Sequence, residues 1–130
     1  MIEKKLKWFG ESGLHARPAG QLVSRSIEFE SKITFINCSN DREGDGKGIF
    51  SLLTMELQKD TDFILRVDGY DEKEAMQSLL QLMVNHEFIA ETPDLGIKRI
   101  KPADPETLRN TLLPSYITES KIYKRYMRQK

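Results

Sequence analysis

The 130-residue sequence predicts an α+β domain with the element order β-α-β-β-α-β-α, followed by a helical extension. Three patterns carry this prediction. Short runs near the start, around residue 33 and around residue 65 alternate apolar and polar side chains, the period of half-buried strands. Other segments repeat apolar residues at the spacing of an amphipathic helix. A glycine-rich, charged stretch in the middle breaks both periods and reads as a hairpin with a weak second arm.

In the first strand Ile2, Leu6 and Trp8 alternate with Glu3, Lys5 and Lys7. Lys4 interrupts the apolar face, which puts this strand near a sheet edge. A turn over residues 10–13 leads to a helix over 16–29. Pro18 suits its first turn, where a missing N–H costs nothing. Ala19, Leu22, Val23, Ser26 and Ile27 form its stripe. The strand over 32–38 turns Ile33 and Phe35 to one face. Residues 40–48 hold three glycines and no apolar side chain, so a short or frayed edge strand is expected there. A short helix over 48–55 then buries Ile49, Leu52 and Leu53. Phe63, Leu65 and Val67 share one face of a strand over 61–67, which Gly69 ends. The last helix of the domain opens near Asp71, with Asp71, Glu72 and Glu74 complementing its dipole. Its stripe is Ala75, Met76, Leu79, Leu82, Met83 and His86.

Beyond residue 88 the pattern changes. Pro93, Pro102, Pro105 and Pro114 punctuate the remainder. Asp104-Pro105-Glu106 reads as a cap, a first-turn proline and a first-turn acid opening a helix with Leu108 and Leu112. A second helix is expected over 115–127. The organisation is therefore a domain over 1–88 and a proline-punctuated helical tail over 89–130.

Composition narrows the function classes. No run approaches the ~18 apolar residues of a membrane helix, and residues 1–5 lack the apolar core of a signal peptide. No membrane insertion and a cytoplasmic location are expected. One cysteine, Cys38, rules out an intrachain disulfide, and two histidines with one cysteine make no zinc ligand set. No metal and no cofactor are expected. Residues 1–90 carry 11 basic and 15 acidic side chains, residues 91–130 carry 9 and 5. The basic end interleaves Ile122, Tyr123, Tyr126 and Met127 with its charges. That favours docking on a protein surface, the chain's own domain or a partner, and makes nucleic acid the weaker reading.

The chemistry concentrates in Gly13-Leu14-His15-Ala16-Arg17-Pro18-Ala19. His15 precedes a helix N-terminus, beside unpaired backbone N–H groups and the positive end of the dipole. Such an end binds anions, and the Arg17 fork suits phosphate oxygens. An imidazole beside a phosphate cradle can accept and pass on a phosphoryl group. A bare His-x-Arg-Pro is more commonly a turn. Its surroundings make the difference here.

Residues 13–19, at this distance from the start and ahead of this helix, resemble the active-site segment of HPr, the histidine phosphocarrier of the bacterial sugar phosphotransferase system. The likeness continues through Gly48-Ile49-Phe50-Ser51-Leu52-Leu53 and to the strand and helix over 61–85. The resemblance implies an open-faced sandwich, an antiparallel sheet with all three helices on one face. It implies a phosphoryl-transfer carrier rather than an independent enzyme. His15 would accept the phosphoryl group from enzyme I, Arg17 would compensate its charge, and Ser12 and the Ala16 and Arg17 N–H groups would bind it. Gln21, Arg25, Ile49 and Phe50 match or adjoin the family's contact surface for enzyme I and the sugar-specific components. Because Ile49 and Phe50 are adjacent on a helix, one of them, expected to be Phe50, faces outward.

The chain also departs from the pattern. Gram-positive HPr carries a kinase-phosphorylated serine where this chain has Gly48, so that regulation is expected to be absent. With the glycine-rich loop and the tail, this suggests a specialised paralogue. A second reading, a regulatory module that docks a transcription factor or enzyme through its tail, therefore stands beside the carrier.

Overall fold

The computed structural model describes residues 1–100. The expected tail helices over 104–112 and 115–127, and the basic end, lie outside the described residues. The chain divides into two units, Met1–Arg99 and Ile100–Lys130, and the fold is that of the first. Its elements are β1 (Ile2–Trp8), α1 (Ala16–Ser26), β2 (Lys32–Asn37), β3 (Glu43–Asp45), α2 (Ile49–Leu53), β4 (Thr61–Asp68) and α3 (Glu72–Asn85). A single 3-10 turn, Pro93–Leu95, follows.

The four strands form one antiparallel sheet in the order β1-β4-β2-β3, the expected open-faced architecture. Leu6 pairs with Phe63, and Phe35 with Leu65, so alternate residues of β1, β2 and β4 meet on one face. There Trp8, Ile33, Phe35, Phe63, Leu65 and Val67 are buried with Leu22 of α1, Leu52 of α2 and Leu79 and Met83 of α3. The opposite face mixes the paired Ile36 and Ile64 with charged residues: Arg66 pairs with Glu3 across β1 and with Glu43 on the far edge. β1 is an edge strand, which explains how Lys4 is tolerated within its inward row: an edge lets a long side chain reach water.

β3 has three residues, as its glycines foretold, and packing leaves no room for a side chain at Gly44. A Cβ on Gly44 would run into the Met55 thioether and come 3.1 Å from a Leu52 methyl. The residues around α2 occupy the space a side chain would need.

Two helices are shorter than their periodicity suggests. α1 ends at Ser26 rather than 29, leaving Ile27 of the predicted stripe exposed. The chain turns there because the Glu30 and Ser31 N–H groups donate to the Asp71 carboxylate, at 2.9 and 3.0 Å. α2 spans Ile49–Leu53 and unwinds through Thr54, after which Met55 turns fully inward. At the other end, Ile89 and Ile97, assigned to the tail by the change of pattern at residue 88, are buried in the core cluster. Among the described residues no helix is long and apolar enough to cross a membrane.

Candidate functional site

The segment leading into α1 is held by backbone bonds and by the buried Leu14 side chain. The Gly13 N–H donates to the Gly10 carbonyl at 3.0 Å, closing the turn, and the Leu14 N–H donates to the Leu57 carbonyl at 2.8 Å. Gly13 has φ +75°, a left-handed conformation that glycine adopts without penalty. The Leu14 side chain is buried, so the residue before His15 is pinned on both its backbone and its side chain.

His15 is the N-cap of α1, with extended backbone at φ −110° and ψ −166°. Its carbonyl accepts the Ala19 N–H at 3.0 Å, the first bond of the helix. Its ring makes no capping bond and is exposed. The Ala16 and Arg17 N–H groups have no acceptor among the described residues, and Pro18 has no N–H to satisfy. Two donors and the positive helix end therefore adjoin a free imidazole, an arrangement that attracts an anion.

An open cleft of about 360 Å³ lies over this end. Ser12, His15, Arg17 and Gln21 all line it, so four of the expected site residues meet in one place. Ala16 contributes its N–H from the same turn. Ile49 and Phe50 lie elsewhere, on α2. Ile49 is half-buried, its methyl 3.9 Å from where a Cβ on Gly20 would sit, whereas Phe50 is 80% exposed. The outward residue of the two is Phe50, as expected.

Arg25 is engaged within the domain. Its guanidinium donates to the Ser78 hydroxyl at 2.9 Å and lies 3.9 Å from the Glu28 carboxylate, with only 14% of the side chain exposed. It joins α1 to α3 instead of standing free for a partner. The reason is tertiary: α3 crosses α1 at this level and offers Ser78 as an acceptor.

The opposite wall of the cleft is formed by His86 and Phe88. His86 fits the apolar stripe of α3 by spacing, but it caps the helix and the residue is exposed. It stacks on Phe88 at 5.5 Å, and Phe88 stacks on Trp8 at 4.9 Å. The Phe88 carbonyl accepts the Phe9 N–H at 2.7 Å, which ties this corner to the end of β1. Packing that removes water from the ring, and then the Arg25 charge, hold the His86 pKa below the ordinary histidine value. The sequence signal for His86 was slight: it is one of two histidines, yet its spacing fits the stripe.

The family model described as the PTS HPr component phosphorylation site matches residues 2–85. The chain is 37% identical over 83 residues to phosphocarrier protein HPr of Vibrio cholerae, covering 64% of this chain and 95% of that one. It is 35% identical over 77 residues to phosphocarrier protein HPr of Mycoplasma capricolum, covering 59% and 84%. Among solved structures, the histidine-containing phosphocarrier protein of Mycoplasma superimposes with a TM-score of 0.66 at 30% identity, covering 69% of this chain and 100% of that one.

Proposed function

Since this chain belongs to the HPr family of the phosphotransferase system, we propose that it accepts a phosphoryl group on His15 from enzyme I and passes it to a downstream phosphotransferase-system component. The observation that carries the reading is the exposed His15 ring at a helix cap whose Ala16 and Arg17 N–H groups lack acceptors, with Arg17 in the same cleft. A ring nitrogen of neutral His15 attacks phosphorus. The new P–N bond forms as the donor's bond to phosphorus breaks, and the donor keeps the electron pair. Little else is required of a carrier, because phosphoryl transfer depends on positioning and on compensating oxygen charge. The two N–H groups and the Arg17 guanidinium supply that compensation, and the Ser12 hydroxyl adds a donor at the rim. Handing the group on is the same displacement in reverse order, with the acceptor as nucleophile.

Docking of both partners over the cleft would use Gln21, which lines it, and the exposed Phe50 ring, with the half-buried Ile49 beside it on α2. Partners and carrier would meet in the cytoplasm.

The test is incubation with enzyme I and labelled phosphoenolpyruvate. Label should appear that is acid-labile and base-stable, as a phosphohistidine is and a phosphoserine is not. His15→Ala should abolish it. Label persisting in His15→Ala would overturn the assignment.

A further inference from the structure

The chain has two histidines, and both line the cleft. The carrier reading uses only His15. His86 reaches the same space from the other wall, at the C-cap of α3, with its ring fixed against Phe88 and its exposed side toward solvent.

Desolvation against Phe88 comes first in disfavouring a proton on His86, and the charges around it come second. On α1, Arg25 opposes its protonation from outside the cleft, and Arg17 is a cation that lines it. His15 at the head of α1 is titratable, and Glu11 of the turn is the one acid lining the cleft. Two other acids are engaged: Glu28 lies against Arg25, and Glu87, next in sequence, pairs with Arg99. Lys59 further neutralises Glu11, at 3.2 Å. No carboxylate is paired with His86 among the described residues, so nothing there offsets the burial and the Arg25 charge that disfavour its protonation. A phosphoryl group reverses the balance, since it brings about −1.5 to −2 charges near neutral pH. A negative charge of that size in the cleft favours the protonated form of a nearby imidazole.

We propose that His86 is a second phosphate-facing residue of this site: when His15 carries a phosphoryl group, the His86 imidazole takes up one proton from solvent and becomes its cationic partner across the cleft. This rests on His15 being the acceptor. The proton adds to the free ring nitrogen of His86 and no bond to phosphorus changes. Linkage makes the effect reciprocal: a proton on His86 stabilises the loaded carrier by as much as loading stabilises the proton. Loading from enzyme I then becomes more favourable as pH falls through the His86 range.

Histidine ring NMR tests this on the full chain, which gives two ring signals to follow. Phosphoramidate loads imidazoles chemically and needs no protein partner, so the state can be made without enzyme I. With the group on His15, the His86 midpoint should rise by about one pH unit or more. In His86→Gln the chain should still load, but the pH dependence of its phosphoryl exchange with enzyme I across this range should be lost. An His86 midpoint that is the same in free and loaded chain overturns the proposal, as does a phosphoryl group found on His86 itself. Loading by phosphoramidate with the expected shift, but none by enzyme I, removes the carrier reading and leaves the proton coupling standing. Failure of phosphoramidate to load His15 overturns the coupling.

Discussion

A Cβ placed on Gly13 would lie 2.6 Å from the carbonyl oxygen of Leu57, the same oxygen that accepts the Leu14 N–H. The residue two places before the candidate phosphoryl acceptor therefore lies against the chain that links α2 to β4. Two demands meet at one position: close backbone approach and a positive φ. Both are met by the absence of a side chain.

Gly13→Ala should lose stability by both routes. The left-handed backbone alone costs about 1–2 kcal/mol for a residue with a Cβ. Displacing the Leu57 carbonyl adds to that and loosens the Leu14 bond. Urea unfolding should show the loss, and phosphoryl transfer should slow even where the chain remains folded. A variant as stable and as fast as the parent would refute the account of this turn.

Arg17→Ala separates function from folding. The side chain is exposed and has no ion-pair partner among the described residues, so stability should change by no more than about 0.5 kcal/mol. Losing a positioned donor on the transferring group should slow transfer by about 10- to 100-fold. Rapid-quench measurement with enzyme I would read it. An unchanged rate would remove Arg17 from the site.

Gly48→Ser should be accepted by the fold and should gain a reactivity. A Cβ there meets Ser51 Cβ at 3.4 Å, an ordinary contact, and Gly48 is the N-cap of α2, where serine is as favourable as glycine or better. An ATP-dependent HPr kinase should label this variant and leave the parent unlabelled. Labelling of the parent at Ser51 would show a displaced regulatory site; the Ser51 hydroxyl, however, already accepts the Asp45 N–H at 2.8 Å.

Asp71→Asn should flatten the response to acid. Desolvation pushes the Asp71 carboxyl upward, but the Ser31 hydroxyl and the Glu30 and Ser31 N–H groups outweigh it, and its pKa lies below the ordinary aspartate value. A folded-state pKa below the unfolded one means stability that is present above the unfolded value, ~3.9, and lost as pH falls through the folded one. His86 acts in the same direction at a higher pH, its contribution being present above the ordinary histidine value and lost below it. Thermal melts from pH 7 to pH 2 should show both steps in the parent. The lower one should shrink in Asp71→Asn and the upper one in His86→Gln.

How much of this was legible beforehand can be judged residue by residue. Strand alternation identified Trp8, Ile33, Phe35, Phe63, Leu65 and Val67 as inward, because a period of two admits only one buried face. Pro18 and the stripe behind it located the start of α1, and with it the His15 cap, since capping and first-turn chemistry are local. That one of Ile49 and Phe50 faces outward followed from the angle between neighbours on a helix. These are properties of short segments, and the sequence by itself determined them. Arg25, His86 and Phe88 were not legible in this way. Whether Arg25 meets water or Ser78 depends on α3, where Ser78 is 53 residues away along the chain. His86 fits an apolar stripe by spacing, yet the helix ends there, and Phe88 then turns to stack on Trp8. The end of α1 likewise depended on Asp71 receiving the N–H groups of the following turn. Tertiary structure alone decided these cases, because the energy of a long side chain or a helix end is settled by the partner that arrives from a distant segment.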